Sequence, residues 1–144
     1  MNRPRNKVPR YLAALVRTQA RRRCGYCLTS ETLIGMPMEL EHLKPQIAGG
    51  ATIEINLWLS CRRCNGFKGT LTEANDPQTG ERIAPFNPRE QSWNEHFAWS
   101  EDGTEIIGQT PCGRATVTAL KMNNPEIVAA RRRWVSVGWW PPSE

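Results

Sequence analysis

Four of the chain's five cysteines fall in two Cys-x-x-Cys pairs, Cys24/Cys27 and Cys61/Cys64, and Cys112 stands alone. A two-residue spacer lets both sulfurs of a pair reach one metal, and two pairs supply the thiolates of a closed tetrahedral zinc site. Such a zinc has no open position for water, so it would staple the fold rather than do chemistry. The residues that could do chemistry lie between and just beyond the pairs. Glu41 adjoins His42, Asn56 follows, Asn65 comes directly after Cys64, and Lys68 shares a helical face with Asn65. Carboxylate and amide oxygens suit a hard divalent cation such as magnesium or manganese. A neutral imidazole, with an ordinary pKa of about 6.5, suits a general base. A base, a divalent cation and a basic surface are the parts needed to hydrolyse a phosphodiester.

These residues need elements to hold them. Leu12, Leu15, Val16 and Ala20 recur at helical spacing, which predicts a helix from Pro9 to about Arg22. "MELEHL" reads as a short strand that the Lys44–Pro45 step ends. Past the Gly49–Gly50 turn, Ile53, Ile55, Leu57 and Leu59 alternate with polar residues and Trp58, as in a strand with one apolar face. "CRRCNGFKG" predicts a helical turn or two that stops at Gly69. Residues 72–92 read as loop. "HFAWSEDGTEIIG" reads as a hairpin around Asp102–Gly103, and helices are expected at Arg114 to Met122 and Pro125 to Val137, the second capped by Asn124.

In that setting "RCGYC…LEHLKPQIAGG…INLWLSCRRCNGFKG" resembles the zinc-bracketed HNH endonucleases of the ββα-metal superfamily, over roughly residues 20–70. The resemblance implies an α+β fold. Its zinc-stapled ββα-metal core carries an N-terminal helix and, over 93–144, a C-terminal hairpin plus helices, all in one domain. It implies a metal-dependent DNA endonuclease with His42 as the general base and one divalent ion, Mg2+ or Mn2+, held by Glu41 and Asn65. Asn56 would hold the loop that orients His42, and Lys68 with Arg62 or Arg63 would contact phosphates. Glu41 stands where the family often has Asp, one methylene shorter. Neighbouring strand residues also point to opposite faces, so Glu41 and His42 can serve one phosphate only if the strand ends there. The alternative class is a non-catalytic zinc module that binds nucleic acid.

Charge points the same way. The net charge is +5, yet Arg3, Arg5, Lys7, Arg10, Arg17, Arg21, Arg22 and Arg23 precede the first acid, so the remainder is net acidic. Residues 1–8 read either as a solvated basic arm or, through Arg3, Arg5 and Lys7, as a contact to an anionic partner. Nucleic acid comes ahead of membrane because no apolar face is interleaved with the arm, and the family resemblance implies DNA ahead of RNA. Unpaired cysteine use and the lack of an apolar leader or spanning run lead to the expectation of a cytoplasmic protein. His96 follows Glu95 but has no Asn-bearing strand and helix after it, so it reads as hairpin packing or a DNA contact. Trp134, Trp139 and Trp140 are expected to pack the C-terminus, Arg131, Arg132 and Arg133 to be partly solvated, and Cys112 to be inert.

Overall fold

The computed structural model describes residues 8–143, so the arm residues Arg3, Arg5 and Lys7 lie outside the described part. Helix α1 spans Arg10–Gln19 and buries Leu12 and Val16 against Leu57, with Val8 and Leu40 alongside. It stops short of the expected Arg22 because Arg21 and Arg22 take left-handed backbone angles, φ 54° and 56°. That reversal delivers the chain into the first cysteine pair, where the Leu28 amide donates to the Cys24 carbonyl at 3.0 Å. A short helix, α2 (Glu31–Ile34), follows, with Ser30 as its cap.

Strands β1 (Glu39–His42) and β2 (Leu57–Ser60) pair antiparallel, Glu39 opposite Ser60 and His42 opposite Leu57. The expected strand from Ile53 is shorter than its alternation suggested. Glu54–Asn56 forms a 3₁₀ turn, and Ile53 and Ile55 are 47% and 72% exposed. The reason is that β1 ends opposite Leu57, leaving the residues before it no ladder to join. Helix α3 (Arg62–Lys68) then opens inside the second cysteine pair, its first turn capped by the Cys61 sulfur accepting from the Cys64 amide. Gly69 ends it, as expected.

The stretch expected to be loop holds a small hairpin, β3 (Ala74–Asn75) with β4 (Arg82–Ile83). Its anchor is a buried Asp76 that accepts two hydrogen bonds from Arg114, at 2.9 and 2.8 Å. One turn of helix, α4 (Trp93–His96), leads into the hairpin of β5 (Phe97–Trp99) and β6 (Ile106–Gly108). Helix α5 (Pro111–Ala119) starts earlier than the expected Arg114, because Thr110 caps it by accepting from the Gly113 amide and Pro111 fits its first turn. Helix α6 (Pro125–Ser136) starts at the Asn124 cap as expected.

The result is an α+β fold in which one buried cluster joins the two halves. Tyr26, Leu59 and the four paired cysteines pack with Phe86, Phe97, Ile106, Leu120 and Met122. Aromatic rings continue it outward, Trp93 against Phe97 and Trp99, and Trp140 against Trp99 and Trp134. Trp139 departs from expectation: it is 65% exposed. No described helix is long and apolar enough to cross a membrane.

Candidate metal centre and catalytic cavity

The two cysteine pairs meet although the sequence separates them by a whole strand hairpin. The Cys24, Cys27, Cys61 and Cys64 sulfurs lie within 4.8 Å of one another, all buried, and Cys27 and Cys61 are 3.7 Å apart. A tetrahedral zinc with ligands at about 2.3 Å needs sulfurs about 3.8 Å apart, so the four thiols fit it. Burial, and then hydrogen bonding to Cys27, pushes the Cys24 thiol well up, while the hydrogen bond from Cys24 pulls Cys27 well down. Four buried sulfurs cannot all ionise without a cation among them, and a divalent metal with thiolate preference supplies it. Cys112 lies apart, near the Ala84 carbonyl and Gln91, and burial raises its thiol pKa, as expected of an inert cysteine.

Next to this staple, β1 has only β2 as a partner among the described residues, which leaves its other edge unpaired by any of them. That edge resolves the two-face problem. Glu41 on one face and Leu40 and His42 on the other all border a single cavity of about 550 Å³, whose wall also includes Asn65, Gln46 and Thr70. β1 ends at His42, and Pro45 follows in the cavity wall.

Glu41 is only 4% exposed. Its Oε1 accepts from the Tyr26 hydroxyl at 2.8 Å and from the Lys68 ammonium at 2.5 Å. Its Oε2 is buried without a partner among the described residues. Burial raises the carboxyl pKa, opposed by Lys68 and Tyr26. Asn65 donates its Nδ2 to the Glu39 carboxylate. A carboxylate here can only accept, so the amide must be turned with Oδ1 away from Glu39. One free carboxylate oxygen and one free amide oxygen suit a hard divalent cation.

His42 is half-buried, and burial followed by the nearby Lys68 charge lowers its pKa below the usual imidazole value, which favours the neutral ring. Its Nε2 lies 2.9 Å from the Thr52 hydroxyl. Asn56, expected to hold the loop that orients His42, makes three hydrogen bonds to loop backbone. Its Oδ1 accepts from the Lys44 amide at 2.8 Å, and its Nδ2 donates to the carbonyls of Lys44, at 3.1 Å, and Ala51, at 2.9 Å.

Three other expectations are corrected. Lys68 is not a surface phosphate contact, being 2% exposed and held by Glu41 and the Leu43 carbonyl. The reason is that β1 packs on the face of α3 that carries it. Arg63 turns inward as well, with Nε and Nη2 buried and without a partner among the described residues. Burial acts to lower its pKa, but the four cysteines outweigh that and raise it. Arg131 is wholly buried rather than solvated, donating to the carbonyls of Thr104 and Met122, at 3.0 and 2.8 Å, and to Asn123. Four thiolates around a divalent cation leave two net negative charges, and these two guanidinium groups sit within range of the tetrad's field. Arg62 is exposed at the start of α3. His96 lies 2.6 Å from Thr110 and edge-on to Phe86, a packing position.

Tyr26, Glu39 and Thr52 were not singled out from sequence. Glu39 carried a legible signal, since it alternates with Glu41 and so shares its strand face. Tyr26 sits inside the first cysteine pair, and Thr52 gave no local signal.

A cysteine-bracketed strand pair and helix, with an acid–histidine step at the strand end, defines a metal-stapled ββα module. Residues 24–71 match the family model described as HNH endonuclease. No curated protein and no solved structure matches the chain.

Proposed function

We propose that the protein is a metal-dependent endonuclease that hydrolyses phosphodiester bonds in DNA. The observation that carries this reading is the cavity itself, which gathers Glu41, His42 and Asn65 with one Glu41 oxygen buried and unpaired. Zinc would be held by Cys24, Cys27, Cys61 and Cys64. Glu41 and Asn65 would hold one Mg2+ or Mn2+, which supplies positive charge for the phosphate and the departing 3′ oxygen. His42 takes the proton of the attacking water, and hydrolysis leaves a 5′-phosphate and a 3′-hydroxyl. Lys68 and Tyr26 pin Glu41 through one oxygen only, which fixes the carboxylate and leaves Oε2 directed for binding. Glu39 does the same for the Asn65 amide. Exposed Arg62 and the basic arm, Arg3, Arg5 and Lys7, contact DNA phosphates. The buried cluster shared by both halves supports reading the chain as one domain.

Supercoiled plasmid incubated with the protein and magnesium or manganese tests the reading, beside a chelator control and His42→Ala. A general base contributes roughly 10²- to 10⁴-fold, so the variant loses nearly all nicking while keeping its zinc and its DNA affinity. A wild-type protein that binds plasmid but never nicks it in any divalent metal is a binding module instead. If His42→Ala cuts at the wild-type rate, another group is the base.

A further inference from the structure

We propose that Thr52 is the positioning residue that sets the tautomer of His42, accepting the Nε2 proton so that Nδ1 presents its lone pair to the cavity. This rests on His42 being the base, and it adds the atom that does the work and the residue that chooses it.

The geometry runs through three contacts. Thr52 Oγ1 lies 2.9 Å from His42 Nε2. The Gln46 amide also donates to Oγ1, at 3.2 Å. His42 and Gln46 border the catalytic cavity whereas Thr52 does not, so the nitrogen Thr52 engages is the one turned from the substrate space. Thr52 is itself held in place, because Asn56 grips the carbonyl of the preceding residue, Ala51, at 2.9 Å.

A hydroxyl oxygen can accept two hydrogen bonds and donate one. If Oγ1 accepts from both Gln46 and His42 Nε2–H, its lone pairs are filled and the neutral ring has its free lone pair on Nδ1. If instead the hydroxyl donated to Nε2, the ring proton would sit on Nδ1. The nitrogen facing the cavity would then have nothing with which to accept a proton from water. Only the first arrangement makes a base of His42, and it needs an oxygen at position 52.

The chain has two histidines, His42 and His96, so nitrogen-15 labelling of histidine gives two readable rings. The His42→Ala spectrum identifies the signals of His96. In the zinc-loaded wild-type protein, at a pH where both rings are neutral, long-range proton–nitrogen correlations should show His42 protonated on Nε2. Thr52→Val keeps the side-chain shape without the oxygen and should mix the two tautomers. Its kcat for plasmid nicking should fall on the order of 10- to 100-fold, the range for losing an outer partner of a site ligand. DNA affinity, zinc content and melting temperature should stay as in wild type. Thr52→Ser keeps the oxygen and should retain both the tautomer and the rate.

A wild-type His42 protonated on Nδ1 overturns the proposal without any variant, so a poorly folding Thr52→Val cannot shield it. Equal nicking by Thr52→Val with an unaltered tautomer overturns it too. The general-base reading has its own test: it fails if His42→Ala still cuts.

Discussion

Replacing Gly50 with alanine puts one methyl group at the junction on which the catalytic loop depends. A Cβ there would sit 1.8 Å from the Lys44 carbonyl oxygen, 2.7 Å from its carbon and 2.9 Å from the Asn56 amide nitrogen. To reach ordinary contact at 3.4 Å the Lys44 carbonyl must retreat by about 1.6 Å, and it is backbone, with no rotamer to escape into. That carbonyl is one of the three groups Asn56 holds, the others being the Lys44 amide and the Ala51 carbonyl. At roughly 0.5–1.5 kcal/mol for each hydrogen bond, and with the loop partly solvated, the stability loss should be about 1–3 kcal/mol. The catalytic loss should be larger. Lys44 lies two residues beyond His42, and Ala51 precedes Thr52, so both supports of the imidazole move. A misplacement of about 1 Å costs on the order of 100-fold in rate. The tetrad is built from other segments, so zinc content should not change. Gly49 is the control. It has φ +93° and its Cβ would meet nothing nearer than the Lys44 ammonium at 3.9 Å, so its need is conformational, not steric. Gly49→Asn, a residue that tolerates left-handed angles, should therefore cut within a few-fold of wild type. The assay is single-turnover nicking of supercoiled plasmid, read beside zinc stoichiometry and a thermal melt. Near-wild-type cutting by Gly50→Ala would mean that the loop absorbs a methyl without disturbing the base, and the bracing argument fails. Loss of zinc in the same variant would show that the damage is not local.

Two further outcomes are expected. Glu41→Gln should raise the magnesium or manganese concentration for half-maximal cleavage, and should also lower stability by about 3–5 kcal/mol because Lys68 is left buried without its counter-ion; an unaltered metal requirement would assign the cation to other ligands. Cys61→Ser should lose bound zinc and unfold or aggregate, whereas Cys112→Ser should leave metal content and cleavage unchanged; elemental analysis finding no zinc in folded wild-type protein refutes the staple.

The parts legible in the sequence were those whose chemistry is tied to spacing. Two Cys-x-x-Cys pairs can be read as one site without knowing the path between them, and Asn124–Pro125 marks a helix start wherever that helix packs. What stayed hidden depends on which face a neighbour covers. Lys68 has the right helical spacing from Asn65 for a surface cation, but β1 lies on that side of α3, and the same ammonium becomes the buried partner of Glu41. Arg131 looks like surface charge in any linear reading, because nothing local records the thiol tetrad near it, and Arg63, although inside the second cysteine pair, has no local sign that its guanidinium turns inward. The alternation from Ile53 to Leu59 was genuine, yet a strand needs a partner, and its partner ends at His42. Thr52 was beyond reach for a different reason: its contact with His42 is fixed by Asn56, through hydrogen bonds that no periodicity encodes.

The buried polar atoms that lack partners connect these hidden residues. Among the described residues they are Glu41 Oε2, Arg63 Nε and Nη2, and Arg131 Nε. An unpaired buried polar atom costs about 1–3 kcal/mol, more when charged, so a fold retains one only where something compensates it. Glu41 borders the cavity, Arg63 and Arg131 feel the field of the thiol tetrad, and the signs are opposite in the two places. At the tetrad the unpaired groups are cationic, as expected beside a centre that four thiolates make net negative. At the cavity the unpaired atom is a carboxylate oxygen, as expected beside a cation that one acid and one amide leave net positive. Under the proposed function, one metal position is neutralised and closed, and the other keeps positive charge for an anionic substrate. That difference in residual charge separates a staple from a catalytic site more sharply than ligand identity does.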